Sequence, residues 1–90
     1  MNNAIRKQQV CILGSTGSIG TQALDVIEKY PERYEAYCLT ANTRVELLAE
    51  QARKFRPACV VIADESRYDQ LKLLLADQTD IKIYAGKEAL

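Results

Sequence analysis

The stretch QVCILGSTGSIGTQALDVI, residues 9–27, runs from apolar residues into a glycine-spaced turn and out into helical spacing, and its reading decides the fold. Residues 9–13 form a short continuous apolar run of the kind given by a parallel strand buried on both faces. From Ile19 onward, Ile19, Ala23, Val26, Ile27 and Tyr30 share one face of a helix, and Pro31 forces its end. Between strand and helix, Gly14, Gly17 and Gly20 are spaced G-x-x-G-x-x-G. Gly14 permits a sharp turn off the strand, Gly17 lets a pyrophosphate approach the backbone with no Cβ in the way, and Gly20 lets the helix pack closely. The unpaired N–H groups at the helix start, around Gly17, Ser18 and Ile19, then face an anion, and the positive end of the helix dipole adds to the attraction. Thr16 and Ser18 offer hydroxyl donors as well. The competing reading is a tight strand-to-helix connection with no nucleotide. No Gly-Lys-Ser/Thr follows the loop, so a dinucleotide suits it better than a nucleoside triphosphate.

The same unit recurs along the chain. Residues 34–41 (YEAYCLTA) read as a second strand. TRVELLAEQARKF reads as a second helix with Val45, Leu48, Ala52 and Phe55 on one face, started by a Thr43/Glu46 capping box and closed by Pro57. Residues 58–64 (ACVVIAD) give a third strand, Ser66 caps a third helix carrying Tyr68, Leu71 and Leu75, and DIKIYAG gives a fourth strand. GKEAL reads as the opening of one more helix. Alternating strand and helix with right-handed crossovers predicts an α/β fold, the amino-terminal half of a Rossmann-type doubly wound parallel sheet. Its expected strand order is 3-2-1-4, with the ligand at the switch point between strands one and four. All of residues 1–90 belong to this one unit.

The end of the second strand discriminates between dinucleotides. An NAD site wants an acid there for the ribose 2′-OH, whereas an NADP site drops the acid and offers a cation to the 2′-phosphate. No acid stands between Leu39 and Arg44, and Arg44 is the one nearby cation. The start of the second helix at Thr43 adds N–H donors, so NADP is favoured. Asp64, Glu65 and Asp69 sit at a helix start, where acids favour the dipole without any metal.

Composition narrows the partners. Twelve basic residues balance twelve acidic ones and there is no histidine, which gives neither a nucleic-acid patch nor an imidazole catalyst. Cys11, Cys38 and Cys59 lie in apolar runs without CxxC spacing, the pattern of reduced, buried thiols. The polar start has no apolar h-region and no stretch is long enough to span a membrane, so a cytoplasmic protein is expected.

With these residues in view, the chain resembles the amino-terminal part of the 1-deoxy-D-xylulose 5-phosphate reductoisomerase family. ILGSTGSIGTQALDVI is very close to that family's opening, YPERYEAYCLTA follows in register, and VELLAEQARKFRPACVVIAD matches the next stretch. The resemblance implies an NADPH-dependent enzyme using Mg²⁺ or Mn²⁺ in the non-mevalonate route to isoprenoids. It would rearrange the carbon skeleton of 1-deoxy-D-xylulose 5-phosphate and reduce the aldehyde to 2-C-methyl-D-erythritol 4-phosphate. Family cofactor contacts carry over onto Thr16, Gly17, Ser18 and Ile19, which match as they stand. They also carry over onto Asn42, Thr43 and Arg44, although a glycine is common where Asn42 stands and an asparagine where Arg44 stands; Asn tolerates a left-handed backbone nearly as glycine does. The resemblance further implies a homodimer, with metal ligands, substrate-phosphate site and catalytic lid all beyond Leu90, and no turnover from this piece alone. Two other readings are another NADP-linked reductase, of the aspartate-semialdehyde or dipicolinate type, and a nucleotide-sensing module without chemistry.

Overall fold

The computed structural model of the 90-residue chain describes residues 7–86. Four strands and three helices alternate: β1 (Gln8–Ile12), α1 (Ser18–Lys29), β2 (Tyr34–Ala41), α2 (Val45–Phe55), β3 (Cys59–Ile62), a 3-10 turn (Glu65–Arg67), α3 (Tyr68–Leu74) and β4 (Lys82–Ala85). All three strand pairings are parallel, as right-handed crossovers require. Pro31 follows the end of α1 and Pro57 that of α2, where Arg56 takes up the left-handed conformation (φ 51°) that terminates the helix. The further helix expected from GKEAL lies outside the described residues, apart from Gly86.

The strand order is β1-β2-β3-β4, not 3-2-1-4. The reason lies in the third crossover. Arg53 of α2 holds both carboxylate oxygens of Asp77 (2.6 and 3.0 Å) and the Leu74 carbonyl (2.8 Å), which seats α3 beside α2 in one layer. From there, residues 75–81 reach the free edge of β3, one strand spacing away. Reaching the far side of β1 would mean travelling about 14 Å, three spacings of about 4.8 Å. β1 and β4 therefore stand at opposite edges, and the expected switch point between them is not formed by the described strands.

Because every crossover advances in one direction, all three helices lie on one face of the sheet. The core is on that face: Leu39, Val60, Ile62, Leu48, Leu71 and Leu75 are almost wholly removed from solvent, each such side chain contributing about 1.5–3 kcal/mol. On the other face Cys11, Cys38, Cys59 and Lys82 stand side by side across the four strands. No helix among the described residues covers this row. The thiols are accordingly not buried as expected: Cys11 is exposed and Cys38 and Cys59 are half-buried. Burial together with the neighbouring Cys59 and Cys11 still pushes the Cys38 thiol up to about 12.

α1 is rotated from the expected face. Gly20, Leu24 and Ile27 are its buried residues, while Ile19, Val26 and Tyr30 are exposed. Gly20 sets the rotation. A Cβ there would run into the Gly14 carbonyl oxygen and come within 2.6 Å of the Ser15 Cα, so this residue must turn toward the loop and Ile19 must turn away.

Candidate functional site

The site is built where β1 ends. Gly14 leaves the strand with φ +73°, a conformation that glycine adopts freely, and the chain then folds back against β2. Its N–H donates to the Thr40 hydroxyl (2.8 Å), and the Ser15 N–H donates to the Thr40 carbonyl (2.8 Å). The Thr40 hydroxyl in turn donates to the Ile12 carbonyl (3.4 Å). From the other side α2 contributes Gln51, whose side chain is almost fully buried. Gln51 Nε2 donates to the Ser15 carbonyl (2.9 Å) and Gln51 Oε1 accepts from Ser15 Oγ (2.7 Å).

This clamp decides which amides are left over. Gly17 takes extended φ/ψ (−84°, 176°) as the residue preceding α1, and its N–H donates to the Gly14 carbonyl (3.0 Å). The expectation that the Gly17 N–H faces a ligand is therefore corrected: a tight turn consumes it. Gly17 serves by its missing side chain, since a Cβ would meet only the Gly14 oxygen, at 3.5 Å. The N–H groups of Thr16, Ser18, Ile19 and Gly20 have no backbone acceptor among the described residues. They are joined by the dipole of a 12-residue helix with no acid in its first turn, whereas α2 carries Glu46 and α3 carries Asp69 there. The first turn of α1 thus leaves the positive end of the helix without a counter-charge of its own, the electrostatic condition for an anion.

The second predicted cluster, Asn42, Thr43 and Arg44, follows β2 and is exposed throughout. The Asn42 carbonyl accepts from the Asp64 N–H (3.0 Å), tying this loop to the one after β3. The capping box does not form. Arg44, not Thr43, precedes the first helical residue, the Thr43 side chain caps nothing, and the Val45 N–H turns back to the Thr43 carbonyl (2.8 Å). The Thr43 hydroxyl is thereby free for a ligand. Ser66 likewise does not cap α3, which Arg67 precedes with no side-chain cap; Asp64 instead caps the 3-10 turn before it, accepting from the Ser66 N–H and hydroxyl (3.1 and 2.6 Å). Those bonds, with help from Arg67, hold the Asp64 carboxyl below its ordinary range. Among the described residues no group of three or more thiols or carboxylates is arranged to hold a metal.

Thr43 and Arg44 line a cleft of about 380 Å³ with Glu46, Glu50, Gln70 and Arg67. Arg67 brings a second guanidinium that the sequence reading missed; Asp64 holds its Nε at 3.2 Å. A groove between α1 and α2 is lined by Asp25, Glu28 and Glu50 with Lys54, an acidic wall unsuited to phosphate.

The family model for 1-deoxy-D-xylulose 5-phosphate reductoisomerase matches residues 10–90. An enzyme of that description from Bacteroides fragilis is 62% identical over 88 residues, which is 98% of this chain and 22% of that enzyme. Its counterpart from Bacteroides thetaiotaomicron is 65% identical over 85 residues, 94% of this chain and 22% of that enzyme. The chain thus spans about a fifth of the length of these relatives. Among solved structures, the Zymomonas mobilis reductoisomerase in complex with NADPH superposes with a TM-score of 0.88 at 42% identity, covering 93% of this chain and 22% of that one. A reductoisomerase in complex with NADPH, fosmidomycin and magnesium gives 0.84 at 36% identity, covering 91% and 20%.

Proposed function

We infer that this chain, which belongs to the 1-deoxy-D-xylulose 5-phosphate reductoisomerase family, is the amino-terminal NADPH-binding part of a longer enzyme of that family. The observation that carries this reading is the start of α1, where among the described residues the N–H groups of Thr16, Ser18, Ile19 and Gly20 have no backbone acceptor and the first turn holds no acid to neutralise the dipole. A pyrophosphate fits that cradle. Gly17 keeps the approach open, and the Ser18 hydroxyl adds a donor at the same rim. The 2′-phosphate of the cofactor falls to Asn42, Thr43 and Arg44, where no carboxylate competes for it before Glu46.

The complete protein then performs the family reaction. 1-Deoxy-D-xylulose 5-phosphate is rearranged and reduced to 2-C-methyl-D-erythritol 4-phosphate, as a cytoplasmic homodimer. NADPH supplies the hydride when bound, and Mg²⁺ or Mn²⁺ is held by residues outside this chain. The role of residues 7–86 is to grip the adenosine side of the cofactor and exclude NADH; the present chain has no turnover.

Titration calorimetry of the chain with NADPH and NADH tests the binding reading. NADPH tighter by tenfold or more is the expected result, and equal affinity or no binding of either would overturn it. For the complete protein, NADPH consumption that depends on deoxyxylulose phosphate is the decisive assay, and its absence would refute the assigned activity.

A further inference from the structure

Gln51 lies in the middle of α2, well past the helix start to which the sequence assigns a part in cofactor binding. Its side chain is only 8% exposed, and it spends both halves of its amide on a single residue of the glycine loop, Ser15. The bond from Nε2 to the Ser15 carbonyl is the informative one. In a trans peptide the carbonyl of one residue and the N–H of the next point in opposite directions. With the Ser15 carbonyl drawn toward α2, the Thr16 N–H is aimed the other way, out of the clamp. That N–H is also one of the four at the site with no backbone acceptor among the described residues.

We propose that Gln51 is a positioning residue for the cofactor: by holding the Ser15 carbonyl inward, it fixes the Ser15–Thr16 peptide so that the Thr16 N–H donates to the pyrophosphate. The proposal rests on the NADPH reading above and adds to it a residue that never touches the ligand. Without Gln51 the peptide is free to rotate. A rotated peptide presents a carbonyl oxygen to the phosphate where a donor is needed, exchanging an attraction for a repulsion. The rest of the loop offers no substitute, because Thr40 restrains the N–H groups of Gly14 and Ser15 and the Ser15 hydroxyl (3.3 Å to the Thr40 carbonyl), and among the described residues only Gln51 donates to the Ser15 carbonyl. The amide orientation is fixed by the same pair of bonds: turned over, Gln51 would set its oxygen against the Ser15 carbonyl.

The test uses Gln51→Met, which keeps length and volume but can neither donate nor accept, with NADPH and adenosine 2′-monophosphate as probes. The second probe carries the 2′-phosphate and no pyrophosphate. NADPH affinity is expected to fall about tenfold or more in Gln51→Met, while adenosine 2′-monophosphate changes less than twofold. Ser15→Ala removes the hydroxyl's contacts with Gln51 and the Thr40 carbonyl but keeps the bond from Gln51 to the Ser15 carbonyl, so its NADPH loss should be smaller, about threefold. A purely structural role would weaken both ligands in parallel with the fall in melting temperature, and that result, or an unchanged NADPH affinity, overturns the proposal. A measurement on the parent chain needs no variant: NADPH should shift the Thr16 amide resonance along with those of Ser18 and Ile19. If Ser18 and Ile19 move and Thr16 does not, the clamp is wrong and the cofactor reading survives; a parent that binds no NADPH overturns both.

Discussion

Replacing Gly20 with alanine puts a methyl group into a space occupied by backbone. The added carbon meets the Gly14 carbonyl oxygen, the Ser15 Cα at 2.6 Å and the Gly14 carbonyl carbon at 2.9 Å, and none of these is the movable end of a side chain. Restoring ordinary contact requires α1 to retreat by close to an ångström. Leu24 and Ile27, which α1 buries in the core, then lose a quarter to a half of their dispersion contacts across the new gap. With the overpacking strain itself, the loss comes to about 2–4 kcal/mol. Alanine's better helix propensity returns about 1 kcal/mol. The net effect is a destabilisation of about 1–3 kcal/mol, which for a domain of this size lowers the melting temperature by about 5–20 °C. Thermal unfolding followed by circular dichroism measures it. A Gly20→Ala variant that melts at or above the parent would show that propensity outweighs the clash, and that α1 is not fixed against the loop.

Other outcomes follow from the same geometry. Gly17→Val should leave the melting temperature within a few degrees, since its Cβ meets only one oxygen at ordinary distance, yet abolish NADPH binding in titration. Arg44→Ala should weaken NADPH by about 1.5–3 kcal/mol, the worth of a hydrogen bond to a charged group, and leave NADH nearly unchanged when the two are titrated side by side. The Arg53 guanidinium holds the Asp77 carboxyl below its ordinary range, so the ionised form favours the fold. That contribution is present above the unfolded value of about 3.9 and is lost as pH falls through the lower folded value. Melting curves from pH 5 to pH 2 should therefore fall less steeply for Asp77→Asn than for the parent. Cys11 is exposed and the Cys38 thiol is pushed up to about 12, so iodoacetamide at pH 8 should label Cys11 first and Cys38 last, as read by peptide mass spectrometry.

What the sequence made legible was local. β2 spans Tyr34–Ala41 as expected, because Pro31 and the polar Asn42 bracket a largely apolar run in which Tyr34, Tyr37 and Thr40 favour the strand. The glycine loop was read in place, and Thr16, Ser18 and Ile19 all stand at the start of α1. Strand order was not legible, since periodicity says which residues share a face and nothing about the direction in which a crossover travels. The face of α1 was misread because Ile19, Val26 and Tyr30 make as good an apolar stripe as Leu24 and Ile27; the choice between them falls to Gly20, through a contact with the preceding loop. The Thr43/Glu46 pattern failed as a cap because the chain makes one more turn before α2 begins. Gln51 is not legible as a site residue, since a polar residue inside a helix ordinarily faces solvent. Its signal is its spacing, three residues after the buried Leu48 and one before the buried Ala52, which puts it on the buried side of α2.

The sheet face without helices governs how copies of this chain behave toward one another in solution. β1 pairs with β2 alone among the described strands, and Gln8–Ile12 contain neither the lysine nor the proline that commonly guards such an edge. Leu13 after β1, Tyr37 on the neighbouring β2 and Tyr84 on the opposite edge strand β4 are 74, 42 and 46% exposed. A formal net charge of zero at pH 7 supplies no long-range repulsion to keep these surfaces apart. Colloidal stability of the purified chain is therefore lowest near neutrality, and concentrated samples will stay clear longer in buffers that move its net charge well away from zero.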